Sequence, residues 1–133
     1  MIVDTSALVA ILQGEPEADV FVGRLTEARR KGERAAITAA NLFELMLVID
    51  GRKDDELSKS VDALFGALGL VVVPVDAELA AKARLANRSY GRRFHPAKLN
   101  FGDCFAYALA KQTGEPLLFK GEDFAQTDVV SAV

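Results

Sequence analysis

The first 12 residues, MIVDTSALVAIL (1–12), predict the fold because they join a short apolar strand to a short helix through one charged residue. Met1 to Val3 contain no polar residue, Asp4 ends the strand, and Ser6 to Leu12 form an apolar helix that Gly14 and Pro16 terminate. A fully apolar strand that leads directly into a helix is typical of a parallel sheet covered by helices. The segment therefore predicts an α/β fold.

The rest of the chain repeats this alternation. Apolar, β-branched runs predict further strands at 35–38, 70–73 and 117–119, with 129–130 as a possible fifth. Amphipathic or capped segments predict helices at 17–31, from Thr38 as N-cap to about 49, and at 54–68, 77–89 and 101–113. In the helix over 17–31, we expect Val20, Phe21, Leu25 and Ala28 to face the core. This order predicts a three-layer α/β/α sandwich with a central parallel sheet of four to five strands.

Length and composition limit the possible functions. The 133 residues form a single domain, 1–133, with half of the residues apolar and a net charge of −3, which argues against a strongly basic nucleic-acid binder but allows a local basic patch. The single cysteine, Cys104, excludes an internal disulfide and a multi-cysteine zinc site. The chain begins without a basic segment, and Asp4 interrupts its apolar run, so we expect a cytoplasmic protein with no signal peptide or membrane span.

Three carboxylates lie alone in apolar segments. Asp4 is the only charged residue in 1–14, Glu44 the only one in 35–49, and Asp103 the only one in 99–110. We expect segments this apolar to be buried, and a buried carboxylate is unfavourable unless it is paired, hydrogen-bonded or bound to a cation. No lysine or arginine is near any of the three in the sequence, so the pattern points to a divalent metal ion.

The topology predicts that these carboxylates meet. In parallel sheets, sites form beyond the carboxyl ends of the strands, where Asp4 and the helices carrying Glu44 and Asp103 begin. A fourth acid, Asp123 or else Asp128, follows the strand over 117–119. Oxygen-only ligands suit Mg²⁺ or Mn²⁺, which in such sites promote phosphodiester hydrolysis without a protein nucleophile.

Each acid also has a simpler structural explanation. Asp103 lies three residues after Asn100 and fits a helix capping box, Asp4 fits an N-cap, and Asp123 fits a solvated turn. Glu44 is the hardest to explain in this way, because it lies in mid-helix between apolar neighbours. It is the joint occurrence of the acids that favours a functional site.

Other side chains are candidates for substrate binding. Thr5 and Ser6 place hydroxyl groups beside Asp4, and Lys120 lies close to Asp123 in the sequence. The loop over 88–98 is cationic with interleaved aromatic residues and leads into the Asp103 helix, so its arginines Arg92 and Arg93 suit a single-stranded RNA backbone. His95 in this loop is a weaker candidate for a ligand or general base.

Four segments, MIVDTSALVAIL, TAANLFEL, LNFGDCFAYALA and PLLFKGEDFAQTDV, together resemble the PIN-domain ribonucleases of the VapC toxin type, in order and over nearly the whole chain. The resemblance implies a PIN-like sandwich and an endoribonuclease that uses Mg²⁺ or Mn²⁺, cuts RNA, forms a homodimer and is neutralised by a small antitoxin. It also implies that Asp4, Glu44 and Asp103 are the three core acids and that Asp123 occupies the fourth, more variable position. Asn41 is a departure, because many relatives carry a small hydroxyl residue there.

Three other functions remain open at this point. A signalling receiver module also clusters acids and a lysine at the carboxyl edge, but its first strand ends in adjacent acids, whereas here Asp4 stands alone. A phosphatase with an aspartyl nucleophile requires a second aspartate two residues later, where this chain has Ser6. A non-enzymatic RNA-binding protein would bind RNA without metal-dependent turnover.

Overall fold

Strands and helices alternate along the chain as the sequence predicts. The computed structural model describes all residues from Met1 to Val133. The elements are β1 (Ile2–Val3), α1 (Thr5–Gln13), α2 (Ala18–Arg30), β2 (Ala35–Thr38), α3 (Ala39–Asp50), α4 (Asp55–Leu68), β3 (Leu70–Val73), α5 (Ala77–Tyr90), α6 (Phe101–Thr113) and β4 (Leu117–Leu118), followed by a 3₁₀ turn at Phe124–Gln126. Thr38, Asp76 and Asn100 are helix N-caps, and each accepts a hydrogen bond from the first turn of its helix. No helix combines the length and apolar character needed to cross a bilayer.

The sheet is entirely parallel, with strand order β3-β2-β1-β4. Ile2 pairs with Ala36 on one side and with Leu117 on the other, so β1 lies inside the sheet. The predicted fifth strand at 129–130 is wrong. Ser131 forms only an isolated bridge with Leu117, because the segment exchanges just two backbone hydrogen bonds with that residue.

The core lies on both faces of the sheet, as a three-layer architecture requires. Val3, Ile37 and Leu118 pack into one apolar cluster with α1 to α4, and Ile2 and Leu117 pack into a second with α5 and α6. Neighbouring strand residues point to opposite faces, which explains how such short strands serve two cores. The predicted α/β/α sandwich is therefore confirmed.

Two expectations about burial are wrong. Val20 is 57% exposed, because Phe21, Leu25 and Ala28 form the buried stripe of α2 and Val20 lies about 100° around the helix from Phe21. The apolar segment of α3 is not buried as a whole, because only one side of the helix packs on the core. Phe43 and Leu47 are 63% and 58% exposed on its outer side.

Candidate active site

Asp4 lies at the carboxyl end of β1 and is also the N-cap of α1. Its side chain is buried, and Oδ2 accepts hydrogen bonds from the Ser6 backbone N–H at 2.9 Å and from Ser6 Oγ at 2.6 Å. Burial raises the pKa of Asp4, and the two bonds from Ser6 oppose that shift only in part. No cationic side chain contacts this carboxyl group, so the fold buries Asp4 without a positive partner.

Glu44 reaches the same region from the second turn of α3. Its carboxylate is half-buried rather than buried, and Oε2 accepts a hydrogen bond from Thr5 Oγ1 at 2.6 Å. It packs directly on the first turn of α6, where a Cβ atom built on Gly102 would lie 2.3 Å from Glu44 Oε2. Position 102 therefore admits Glu44 only because it has no side chain.

Asp103 lies in the first turn of α6 and is 9% exposed. The predicted capping box is present: Asn100 N–H donates to Asp103 Oδ2 at 2.8 Å, and Asp103 N–H donates to Asn100 Oδ1 at 2.9 Å. The pKa of Asp103 is nevertheless raised to about 7, mainly by burial and further by the charges of Asp4, Glu44 and Asp123. The capping explanation is correct but incomplete, because the carboxylate also lies in the field of three other acids.

The structure distinguishes the two candidates for the fourth acid. Asp123 is exposed, and its charge contributes to the raised pKa of Asp103. Asp128 instead accepts hydrogen bonds from Tyr107 Oη at 2.6 Å and Lys111 Nζ at 3.0 Å, which lower its pKa. The charge of Asp123 therefore acts on Asp103, whereas Asp128 forms an ion pair with Lys111 of α6.

Asn41 connects the segments that carry the acids, and sequence reasoning missed this role. Its side chain is fully buried, and Nδ2 lies 3.1 Å from Gly102 O, 3.3 Å from Thr5 Oγ1 and 3.4 Å from Asp4 Oδ1. Its Oδ1 accepts a hydrogen bond from Thr38 Oγ1 at 2.6 Å. The available signal was an amide in an otherwise apolar segment, which must find buried partners.

The other predicted contact residues are already engaged within the protein. Thr5 Oγ1 donates to Glu44, and Ser6 Oγ donates to Asp4 while accepting the Lys120 backbone N–H at 3.0 Å. The Lys120 ammonium group pairs with Glu15 and with Glu17, which raises its pKa and directs it away from the acids. The hydroxyls thus hold carboxylates, the Lys120 ammonium group forms an ion pair with two glutamates, and its phosphate contact stays a prediction.

Arg92 and Arg93 lie exposed in the loop between α5 and α6, and neither makes an ion pair or a side-chain hydrogen bond. His95 lies in the same loop, and its Nδ1 accepts a hydrogen bond from the Ala97 N–H. The His95 and Tyr90 rings meet edge to face, with their centroids 5.0 Å apart. These contacts give His95 a role in shaping the loop. The two arginines remain available to an anionic ligand.

The donor set has the chemistry of a hard-cation site but is not a closed chelate. All nearby donors are carboxylate, amide or hydroxyl oxygens, and burial raises the pKa of the Cys104 thiol to about 11, so it offers no thiolate. No group of three or more acidic, histidine or cysteine side chains stands in metal-binding geometry. Each carboxylate is instead held by its own hydrogen bond, which gives an anionic cluster that a divalent ion would draw together.

Comparisons with known proteins agree with this architecture. The PIN domain profile matches residues 1–130. Ribonuclease VapC42 of Mycobacterium tuberculosis is 48% identical over 130 residues, which cover 97% of this chain and 96% of that protein. These matches place the chain with PIN-domain ribonucleases and not with receiver modules or aspartyl-nucleophile phosphatases.

Solved structures show the same fold at low sequence identity. Mycobacterium tuberculosis VapC20, a sarcin-ricin loop cleaving toxin, superposes with a TM-score of 0.74 at 17% identity, covering 97% of this chain and 95% of that one. A toxin-antitoxin complex from Klebsiella pneumoniae gives a TM-score of 0.67 at 20% identity, covering 99% and 97%. The profile match over 1–130 and the 48% identity with VapC42 show that the chain belongs to the PIN-domain family, as an endoribonuclease of the VapC toxin type.

Proposed function

We propose that the chain hydrolyses RNA phosphodiester bonds with Mg²⁺ or Mn²⁺ held by Asp4, Glu44 and Asp103, with Asp123 as the fourth acid. The observation that carries this proposal is that the fold brings these acids together with no cationic side chain among them: Asn41 Nδ2 lies 3.4 Å from Asp4 Oδ1 and 3.1 Å from Gly102 O, and Glu44 packs on Gly102 beside Asp103. Two unit charges about 4 Å apart repel by about 4 kcal/mol at an effective dielectric constant of 20. A divalent cation removes this repulsion, so metal binding and ionisation of the cluster support each other.

The protein's own residues orient the acids. Ser6 fixes Oδ2 of Asp4, Thr5 fixes Oε2 of Glu44, and the Asn100 N–H fixes Oδ2 of Asp103. When bound, the divalent ion supplies Lewis-acid polarisation of the phosphodiester and activation of the attacking water. In-line attack by water leaves a 5′-phosphate and a 3′-hydroxyl, and no side chain of the protein acts as the nucleophile.

The test is cleavage of total cellular RNA by protein purified free of antitoxin, with Mn²⁺ or with EDTA, followed by mapping of the new 5′ ends. We expect discrete 5′-phosphate ends that require the metal and disappear in Asp103→Asn. Asp76→Asn, which alters an N-cap aspartate on α5 outside the cluster, is the matched control and should cleave normally. Undiminished cleavage by Asp103→Asn would refute the assignment.

The same proposal includes protein partners and a cytoplasmic site of action, where RNA is available. We propose a small antitoxin and a second copy of this chain as partners. Support comes from the exposed apolar side chains Phe43 and Leu47 on α3 and Val71 on the edge strand β3, and from the antitoxin bound in the Klebsiella pneumoniae complex. Light scattering should give a dimer mass for the purified chain, and a monomer mass at micromolar concentration would contradict the homodimer.

A further inference from the structure

A groove of about 630 Å³ lies beside the acidic cluster, between α5 and α6. Asn100 lines this groove, and its backbone N–H donates to the Asp103 carboxylate at 2.8 Å. The groove and the cluster therefore share a wall. Three arginines and three phenylalanines also line the groove: Arg84, Arg92, Arg93, Phe94, Phe101 and Phe105.

The groove is cationic in an acidic protein. The segment from Leu79 to Gly102 carries six of the chain's 16 basic residues and none of its 19 acidic residues. None of the three groove arginines forms an ion pair or a side-chain hydrogen bond with the rest of the chain. Their guanidinium groups are exposed and have no anionic partner within the protein, so they are free to bind an anionic ligand such as a phosphate.

Exposed aromatic rings stand among these arginines. Phe101 is 78% exposed and Phe94 is 59% exposed. The rings of Phe101 and Phe105 meet edge to face, with their centroids 5.0 Å apart. Phe101 is two residues from Asp103 and next to Gly102, on which the Glu44 carboxylate packs. Exposed rings interleaved with arginines form the type of surface on which unpaired bases stack.

We propose that this groove binds an unpaired nucleotide adjoining the bond to be cut, with its base stacked on Phe101 and Phe94 and its flanking phosphates contacted by Arg84, Arg92 and Arg93. The proposal rests on the function proposed above, because it takes RNA as the ligand. It predicts a preference for single-stranded or looped RNA over a duplex, whose bases are already stacked on one another.

The test is binding of a fluorescent single-stranded oligoribonucleotide of about 10 nucleotides. The host is the full-length Asp103→Asn protein in EDTA, so that binding is measured without cleavage. We expect Phe101→Ala to raise Kd about 10-fold, because aromatic stacking contributes roughly that factor per base, and Phe101→Trp to restore binding. Phe101 is largely exposed, so the alanine variant keeps the fold.

The contribution of the groove arginines is measured by the salt dependence of binding. We expect Arg84→Gln combined with Arg93→Gln to weaken binding and to reduce the slope of log Kd against log salt by about 0.7 for each phosphate that the variant no longer neutralises. Matched controls are Val20→Ala, an exposed apolar residue on α2, and Arg34→Gln, at the amino end of β2 on the opposite edge of the sheet. Both controls should bind like the parent protein.

Three outcomes would overturn the groove assignment: groove variants that bind within about 2-fold of the parent, equal affinity for duplex and single strand, or groove variants that lose only a protein partner. Failure of the proposed hydrolysis looks different. In that case the wild-type chain cleaves no RNA with Mn²⁺, while Phe101→Ala still weakens oligonucleotide binding. Normal cleavage with unchanged binding by the groove variants would reject the groove alone.

Discussion

Replacing Asp103 with asparagine should stabilise the metal-free protein above neutral pH. The folded protein raises the pKa of this carboxyl from its ordinary value of 3.8 to about 7. Between these two values the unfolded chain gives up the proton and the folded chain keeps it, so the free energy of unfolding of the wild type falls as the pH rises. The full penalty is present above about pH 7 and absent below about pH 4.

The size of the effect follows from the shift. About three pKa units correspond to at most about 4 kcal/mol, and partial contact with solvent lowers the expected gain to about 1–3 kcal/mol. Asparagine keeps an oxygen that accepts the Asn100 N–H, so the helix cap survives the substitution. The gain in stability should therefore be near zero at about pH 4, grow up to about pH 7 and then stay constant.

The assay is urea denaturation across this pH range, in EDTA and again with Mn²⁺. At a Mn²⁺ concentration about 100 times its Kd, binding adds about 2.7 kcal/mol to the stability of the wild type, whereas the variant gains much less. Asp76→Asn is the control, because it alters an N-cap aspartate that lies outside the acidic cluster, and it should show no pH-dependent gain in the free energy of unfolding. A loss of stability in Asp103→Asn at about pH 8 in EDTA would mean that the cap, and not repulsion among the acids, decides the energetics of this residue.

Further substitutions test how the acids are positioned. Gly102→Ala should displace the Glu44 carboxylate and lower the rate of RNA cleavage about 10-fold with little change in stability. Gly66→Ala is its control, because the added methyl group meets open space. Equal cleavage rates for the two variants would contradict the contact between Gly102 and Glu44. Asn41→Ala should lower the free energy of unfolding by about 2–3 kcal/mol in urea, because several buried polar groups lose their partner, and a loss below about 0.5 kcal/mol would contradict its connecting role. Thr5→Val should reduce kcat, whereas Thr5→Ser should retain it, because only serine keeps the hydroxyl donor to Glu44. Similar rates for the two variants would count against that hydrogen bond.

Most of the fold follows from local sequence signals. Apolar runs and capping residues such as Thr38 and Asn100 mark where strands and helices begin, and the parallel sheet follows from their alternation. The errors occur where tertiary packing decides. Val20 and Phe43 are apolar but lie on helix sides that no other element covers. The segment over 129–132 has strand-forming residues but only one neighbour with which to pair.

The candidate site also has some features that the local sequence indicates and others that only the fold determines. The isolation of Asp4, Glu44 and Asp103 in apolar sequence pointed to them as candidates, and the topology of a parallel sheet brought their segments together. The roles of Asn41 and Gly102 depend on contacts between residues far apart in the chain, and nothing in their local sequence specifies those partners. Lys120 lies three residues before Asp123 in the sequence, and its ion pairs with Glu15 and Glu17 likewise depend on contacts between distant parts of the chain.

The most direct test of the central claim is the location of Mn²⁺ by anomalous scattering in crystals of the wild-type protein grown with that ion. We expect an anomalous peak at the carboxyl edge of the sheet, with oxygen atoms of Asp4 and Asp103 either coordinated to the ion at roughly 2 Å or hydrogen-bonded to a water that is. A saturated crystal with no peak between these carboxylates, or with its only peak elsewhere on the protein, would contradict the claim that the acidic cluster is a metal site.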